Sequence, residues 1–364
     1  MISPWHFGLF AVFSFILGAC IGSFLNVCIY RMPREMSVHQ PRRSFCPSCN
    51  KPIEWRHNLP LVSWLWLRGK CAYCGAKISP RYLAVEFLTA SLFLAVFVRC
   101  PPALWLPYWV FVSLLIVATF IDFDFYIIPD EITIGGTVAG MLLSAGLPVM
   151  MQAESHWKAL GWSALGAAAG FVLLWGVVEL GKLAFGKKKI VFPRPQPFRI
   201  VERDDQPVLT VNGDSFPWAD LFFRPKDRLM LTVESASVNR KTLAQTELVF
   251  FHDRLEAGGR MWPLAEVDEV TGVVREIVIP REAMGFGDVK FIATIGAFLG
   301  WKAVLFVVPV AAVFGSVIGI GSILVGKREW SAKIPFGPYL TAGAVLWIFA
   351  GPELVGWYLG LMRR

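Results

Sequence analysis

"REAMGFGDVKFIATIGAFLGW", residues 281–301, sets a carboxylate, Asp288, between small residues and the start of an apolar run. A charge at the edge of a membrane helix is expensive, and such groups usually carry function. The rest of the chain decides whether the run is a membrane helix. Of its 364 residues, 55% are hydrophobic and only 17% charged, with a mean hydropathy of +0.54. That balance is too apolar for a soluble globule. Apolar stretches long enough to cross a bilayer lie near 7–29, 83–99, 103–121, 131–151, 158–180, 288–300, 302–325 and 338–360, the sixth and seventh nearly touching. Fifteen tryptophans and the glycines within the runs suit interfacial belts and close helix packing.

The expected fold is an all-α polytopic membrane protein of about eight transmembrane helices. Residues 1–30 hold the first helix, 31–82 a loop, 83–186 helices two to five, 187–280 an inserted soluble segment, and 281–364 the last three helices. The N-terminal "MISPWHFGLFAVFSFILGACIGSF" lacks the basic region of a cleaved signal and is expected to stay as the first helix. "LGAC", ending at Cys20, resembles a lipoprotein cleavage box but has no upstream Lys or Arg.

A net charge of +8 would point to nucleic acid in a soluble protein, but topology explains it here. Ten Lys or Arg and only two acids, Glu35 and Glu54, lie between Arg31 and Tyr82. Short basic loops stay in the cytoplasm, which puts the N-terminus outside. The turn 122–130, the segment 181–287 with "GKKK" and the loop "GKREWSAK" then fall on the cytoplasmic side. Arg99 and the terminal "MRR" fall outside, against the rule. The lipid bilayer is a partner and nucleic acid is not.

Two stretches are not membrane. The first carries "CPSC" (Cys46, Cys49) and "CAYC" (Cys71, Cys74) in a C-x2-C-x21-C-x2-C pattern. Two such knuckles make a tetrahedral thiolate site for zinc. In a reducing cytoplasm a metal is favoured over disulfides, and four protein ligands leave no position for a catalytic water, so the zinc is structural. Cys20, Cys28 and Cys100 sit in or beside spans as small apolar residues. The second stretch, 187–280, balances 14 Lys or Arg with 14 Asp or Glu. "QPVLTVNGD", "DRLMLTVES" and "TELVFFHD" read as strands and turns, hence a β-rich domain. His252 beside Asp253 is expected to be an ordinary surface pair.

Asp288 gains meaning from a second acid. "IDFDFYIIPD" ends the third apolar run at Asp122 and turns at Pro129 into the fourth, on the same membrane side as Asp288. Two close carboxyls cannot both ionise cheaply, so one stays protonated. The charged one takes a proton from water, and the neutral one polarises a carbonyl and protonates the leaving amine. That is aspartic protease chemistry. Gly285 and Gly287 are expected to let backbones approach and leave room for an extended substrate. The plainer account makes Asp288 an N-cap, which leaves Asp122 unexplained. Asp124 competes with Asp122, but residues two apart point about 200° away from each other on a helix, and Asp122 lies nearer the apolar run.

"GSFLNVCIYRMP" (22–33), the paired knuckles with "LRGKCAYCGAKISPRYLAVEFLTA" (67–90), "IDFDFYIIPD", "REAMGFGDVK" and "IPFGPYLTAGA" (334–344) resemble, in this order, the type IV prepilin peptidases. The resemblance implies a GxGD-type membrane aspartic protease of the bacterial inner membrane with its active site at the cytoplasmic face. It further implies catalytic Asp122 and Asp288, with type 4 prepilins or type II secretion pseudopilins cut after a glycine. Many members also N-methylate the new terminus with S-adenosylmethionine. No glycine-rich nucleotide loop is visible for that donor, so its binding residues and the oligomeric state stay open. Segment 187–280 departs from the family pattern, in which a short loop stands at that place. A transporter, or a zinc-loop scaffold without catalysis, are the other classes; the first would show paired repeats with broken helices, and none is visible. Glu86 and Asn26, polar residues within spans, are candidates for structural pairing or for the site. Arg68, Gly69 and Lys70 beside the second knuckle are read as a solvated basic loop.

Overall fold

The computed structural model describes residues 4–41, 43–185, 187–203, 206–222, 227–239, 241–280, 284–325 and 335–362. The loop 326–333 and the terminal arginines fall outside these, as do residues 281–283. The chain divides into a helical unit, Met1–Trp175 with Gly285–Arg364, and a β unit, Gly176–Met284.

In the helical unit, α1 (Pro4–Arg31) leads into a loop that carries the five-residue α2 (Val62–Trp66). Ser79 starts α3 (Pro80–Arg99): its hydroxyl accepts from the Arg81 amide, and Pro80 follows at the first helical position. Then come α4 (Trp105–Phe125), α5 (Asp130–Gly146) and α6 (His156–Phe185). After the β unit follow α8 (Phe286–Leu299), α9 (Trp301–Leu324) and α10 (Gly337–Met362).

Among the described residues, six helices are long and apolar enough to cross a membrane, rather than the eight expected. The two that fall short are α5, with 17 residues, and α8, with 14. At 1.5 Å per residue they reach about 25 and 21 Å, less than the ~30 Å hydrocarbon core. Gly300, at φ 79°, ends α8 early and starts the reversal into α9. The short α8 is also the most enclosed helix, with Phe291, Ile292, Ile295, Ala297 and Phe298 fully buried. A side chain on Gly166 of α6 or Gly296 of α8 would strike the other's carbonyl oxygen, so only glycine permits that crossing. On another face, Thr294 of α8 donates to Thr133 O of α5 at 2.7 Å.

The β unit is one antiparallel sheet in the order β3-β2-β1-β8-β4-β5-β6-β7. Its strands are β1 (Lys187–Arg203), β2 (Gln206–Val211), β3 (Asp214–Pro217), β4 (Leu229–Val238), β5 (Lys241–Phe250), β6 (Arg254–Ala257), β7 (Arg260–Pro263) and β8 (Glu269–Pro280), with a short α7 (Trp218–Leu221) after β3. The three quoted stretches supply β2, β4 and β5. Asn212 and Gly213, at φ 51° and 92°, form the two-residue turn that "NG" favours between β2 and β3. The first and last strands pair at the centre, with Lys187 opposite Pro280. A buried apolar core including Leu209, Leu231, Leu248 and Phe250 lies against the sheet.

Candidate active site

Asp122 comes from the last turn of α4 and is 4% exposed. The helix stops there because Tyr126 takes the left-handed conformation (φ 56°) and returns its amide to Asp122 O. The Asp122 carboxylate accepts a 2.9 Å hydrogen bond from the Gly337 amide at the start of α10. A Cβ on Gly337 would press against that same oxygen, so glycine keeps the amide within reach. The stretch "IPFGPYLTAGA" thus anchors the first carboxylate, a role its sequence did not disclose.

Asp288 sits in the first turn of α8 and is 8% exposed. It does not cap the helix. The N-cap is Gly285, whose carbonyl accepts from the Asp288 amide, and Asp288 Oδ1 is buried without a hydrogen-bond partner among the described residues. Ile128 links the two carboxylates: it packs against Gly337, whose amide holds Asp122, and against Gly287, which precedes Asp288, so one acid is held by an amide and the other has an open acceptor.

The flanking glycines behave differently from expectation. A Cβ on Gly287 would meet Ile128 at 3.4 Å and one on Gly285 only Asp288 Oδ2 at 3.6 Å, which are ordinary contacts. The close backbone approach in α8 lies further along, at Gly296. Asp124 forms an ion pair with Arg81 of α3 instead of joining Asp122. Lys290, one turn beyond Phe286, pairs with Asp130 at 2.6 Å.

The cysteine loop repeats one local structure. Bridges Phe45–Pro52 and Lys70–Lys77 close two tight turns. In each, the first cysteine's amide bonds back across the turn and the residue after the second cysteine, Asn50 or Gly75, is left-handed (φ 54° and 71°). Arg68 and Gly69, also left-handed, turn the chain into the second knuckle, and Arg68 and Lys70 are exposed as expected of a solvated basic loop. The four sulfurs lie within 4.8 Å of one another, and Cys46 and Cys74 are 3.9 Å apart. A tetrahedral zinc with ~2.3 Å bonds needs sulfurs about 3.8 Å apart, so the four residues fit a metal ion. Amides of Cys74 and Tyr73, aided by the Cys46 and Cys74 thiols, pull the Cys71 thiol down to about 7, while burial and the neighbouring thiols push Cys74 up to about 11. Cys20, Cys28 and Cys100 stay outside the cluster.

Arg31, counted above only as a topological charge, is 3% exposed and donates to the carbonyls of Ser37, Val38, Pro41 and Arg43. It fastens the start of the loop to the end of α1. Glu86 accepts from the Leu61 amide at 2.7 Å, and Asn26 donates to Tyr82 O at 3.0 Å. Both are structural pairings away from the two aspartates. His252 is exposed, and Asp253 pairs with Arg254 instead.

A helical membrane protein with an inserted β-sheet domain, two buried aspartates at helix ends and a four-cysteine cluster is the class defined by this fold and site. Residues 16–100 match the bacterial peptidase A24 N-terminal domain, and residues 109–191 with 254–320 match the type IV leader peptidase family; the interval between the last two lies within the β unit. A protein of Aeromonas hydrophila called prepilin leader peptidase/N-methyltransferase is 30% identical over 98% of this chain and 95% of its own length. One of Myxococcus xanthus with the same name is 42% identical over 52% of this chain and 56% of its own length. A third, from Klebsiella pneumoniae, is 35% identical over 50% and 79%. No solved structure matches the chain. The chain belongs to the type IV leader peptidase family.

Proposed function

We propose that the protein is a membrane aspartic endopeptidase of the bacterial inner membrane that removes the basic leader from type 4 prepilins or type II secretion pseudopilins after a glycine. It then N-methylates the exposed terminus with S-adenosylmethionine. The observation that carries the first part is that Asp122 and Asp288, both buried, flank the start of α10 through Ile128 and Gly337. Asp122, fixed by the Gly337 amide, and Asp288, with its open Oδ1, share one proton and one water. The ionised member activates the water, and the protonated member polarises the scissile carbonyl and then protonates the departing amine. The methyl-transfer part rests on the names of the relatives.

All eight long helices cross in this arrangement, α5 and α8 running shielded by their neighbours. The ends of α4 and α8 that carry the aspartates then face the cytoplasm with the cysteine loop and the β unit. Zinc holds Cys46, Cys49, Cys71 and Cys74 as a structural ion. A transporter or an inert scaffold would not require both carboxyls for peptide cleavage. Mass spectrometry of a prepilin incubated with detergent-solubilised protein and the methyl donor reads cleavage and methylation together. An uncut prepilin, with membrane insertion and metal content verified, overturns the assignment.

A further inference from the structure

The two helices that fall short of the hydrocarbon core, α5 and α8, lie side by side and run the same way, joined by polar rungs along their length. Lys290 Nζ donates to Asp130 Oδ1 at 2.6 Å, and Thr294 Oγ1 donates to Thr133 O at 2.7 Å and lies 3.1 Å from Thr137 Oγ1. Further along, the Ser144 hydroxyl donates to Ala297 O at 3.4 Å. Glycines bring the backbones close: a Cβ on Gly136 would strike Thr294, and one on Gly140 would strike Phe298. Small polar side chains at such an interface add directional bonds, so each rung fixes which turn of α8 meets which turn of α5.

The rung nearest the reaction is the charged one. Asp130 is the first residue of α5 and follows the turn that leaves Asp122 on α4. Lys290 comes two residues after Asp288 and also lies 5.4 Å from the Phe286 ring. The first turn of a helix has no intrahelical partners for its amides, and in α8 that turn carries Asp288. Lys290 and the contact of Ile128 with Gly287 tie it to the segment that holds Asp122. Stability does not account for the pair, since side chains 27% and 58% exposed gain little from pairing. Register does. A slip of one turn would carry Asp288 about 5.4 Å along α5.

We propose that Asp130 and Lys290 are positioning residues for the peptidase reaction: their ion pair locks the register of α8 on α5 and so holds Asp288 level with Asp122. The inference rests on the peptidase function proposed above. Two positions apart on a helix, Lys290 and Asp288 point about 200° from each other, so Lys290 acts through the backbone of α8 and not on the attacking water.

The test uses the full-length, metal-loaded protein in detergent with a model prepilin. Lys290→Met and Asp130→Asn should each lower kcat about 10²-fold, the effect of misplacing reacting groups by ~1 Å, with KM near the parent's. Lys290→Arg, which keeps a cation within reach of Asp130, should recover most of the loss. Glu154→Gln, which breaks an exposed pair with Lys158, should change neither constant. Melting temperature and metal content should match the parent throughout, because exposed pairs contribute little to stability. A second measurement needs no cleavage. With Asp122→Cys and Asp288→Cys combined, a short bifunctional thiol reagent should join the two positions, as mapped by mass spectrometry, and adding Lys290→Met should lower that yield severalfold. Single variants that cut at the parent's rate, or that lose activity through KM alone, overturn the lock. So does a crosslink unchanged by Lys290→Met. Where Lys290→Met does not fold, Asp130→Asn decides both measurements, being a near-isosteric change at an exposed position. No crosslink without Lys290→Met overturns the juxtaposition of the two acids and the lock with it. A parent that cuts no prepilin removes the peptidase reading alone, and the crosslink still decides the register.

Discussion

The two units bury different chemistry. Every buried polar or charged side chain among the described residues lies in the helical unit, including Arg31, Glu86, Asp122 and Asp288. The β unit buries an apolar core and keeps its charges in exposed cross-strand pairs such as Arg199–Glu269 and Arg275–Glu234. Exposed pairs of that kind contribute about 0–1 kcal/mol each, so the sheet folds on hydrophobic burial. The helical unit removes polar groups from water at a real cost and offsets most of it with backbone partners: Thr294 on Thr133 O, Ser163 on Ala297 O, Arg31 on four carbonyls. Among the described residues, what stays unpaired there is Asn26 Oδ1, His57 Nδ1 and Asp288 Oδ1, against the Trp218 ring nitrogen of α7 in the β unit. Unpaired buried acceptors mark where a molecule acts on something else, and by that measure this protein's chemistry is confined to its helices.

The sharpest way to break the comparison is to remove the carboxyls. Asp122→Asn and Asp288→Asn should each lower prepilin cleavage about 10²- to 10⁴-fold, the usual weight of a lost proton-transfer group, without loss of membrane insertion. Asp124→Asn should retain most activity, since it loses only a partly exposed ion pair with Arg81. A dead Asp124→Asn beside an active Asp122→Asn would reverse the assignment.

A second, smaller effect concerns the loop. Protein prepared without chelator should contain about one zinc per chain, and Cys46→Ser should release it and open residues 31–82 to protease, because structural zinc contributes its binding energy to folding. Metal analysis finding none removes the site. Arg31→Lys should raise hydrogen exchange over 37–43 while leaving the metal bound, since a point-like ammonium cannot serve four carbonyls at once; unchanged exchange would show that the loop holds itself.

Features written in short sequence patterns were the legible ones. Spacing disclosed the knuckles, alternation with "NG" disclosed β2 and its turn, and an acid at the edge of an apolar run disclosed Asp288. What depended on two distant segments meeting was not legible. Nothing in "IPFGPYLTAGA" announces that Gly337 reaches Asp122, 215 positions away. Gly285 and Gly287 drew attention because they flank Phe286, while the contact that needs glycine lies between Gly166 and Gly296 and belongs to a pair of faces. The shortness of α8 was hidden for a related reason: hydropathy registers apolar length, whereas α8 ends where Gly300 turns the backbone.

The smallest effect should come from the β unit. Leu231→Ala, at a fully buried core position, should destabilise that unit by about 2–5 kcal/mol and leave cleavage near the parent rate. Removing the unit entirely is the stricter form of the same test. Because Lys187 and Pro280 are register partners in neighbouring antiparallel strands, their Cα atoms lie about 5 Å apart. The sheet therefore enters and leaves the chain at one point, and a linker of a few flexible residues can replace 187–280 without stretching what it joins. Domain insertions are tolerated at such points, and the family match also breaks off between residues 191 and 254, within this segment. Cleavage of a model prepilin by the shortened protein should stay within a few-fold of the parent, measured on protein shown to be inserted and metal-loaded. A loss as large as that of Asp288→Asn would mean that the apolar sheet takes part in binding or presenting the substrate, and that confinement of function to the helices is wrong.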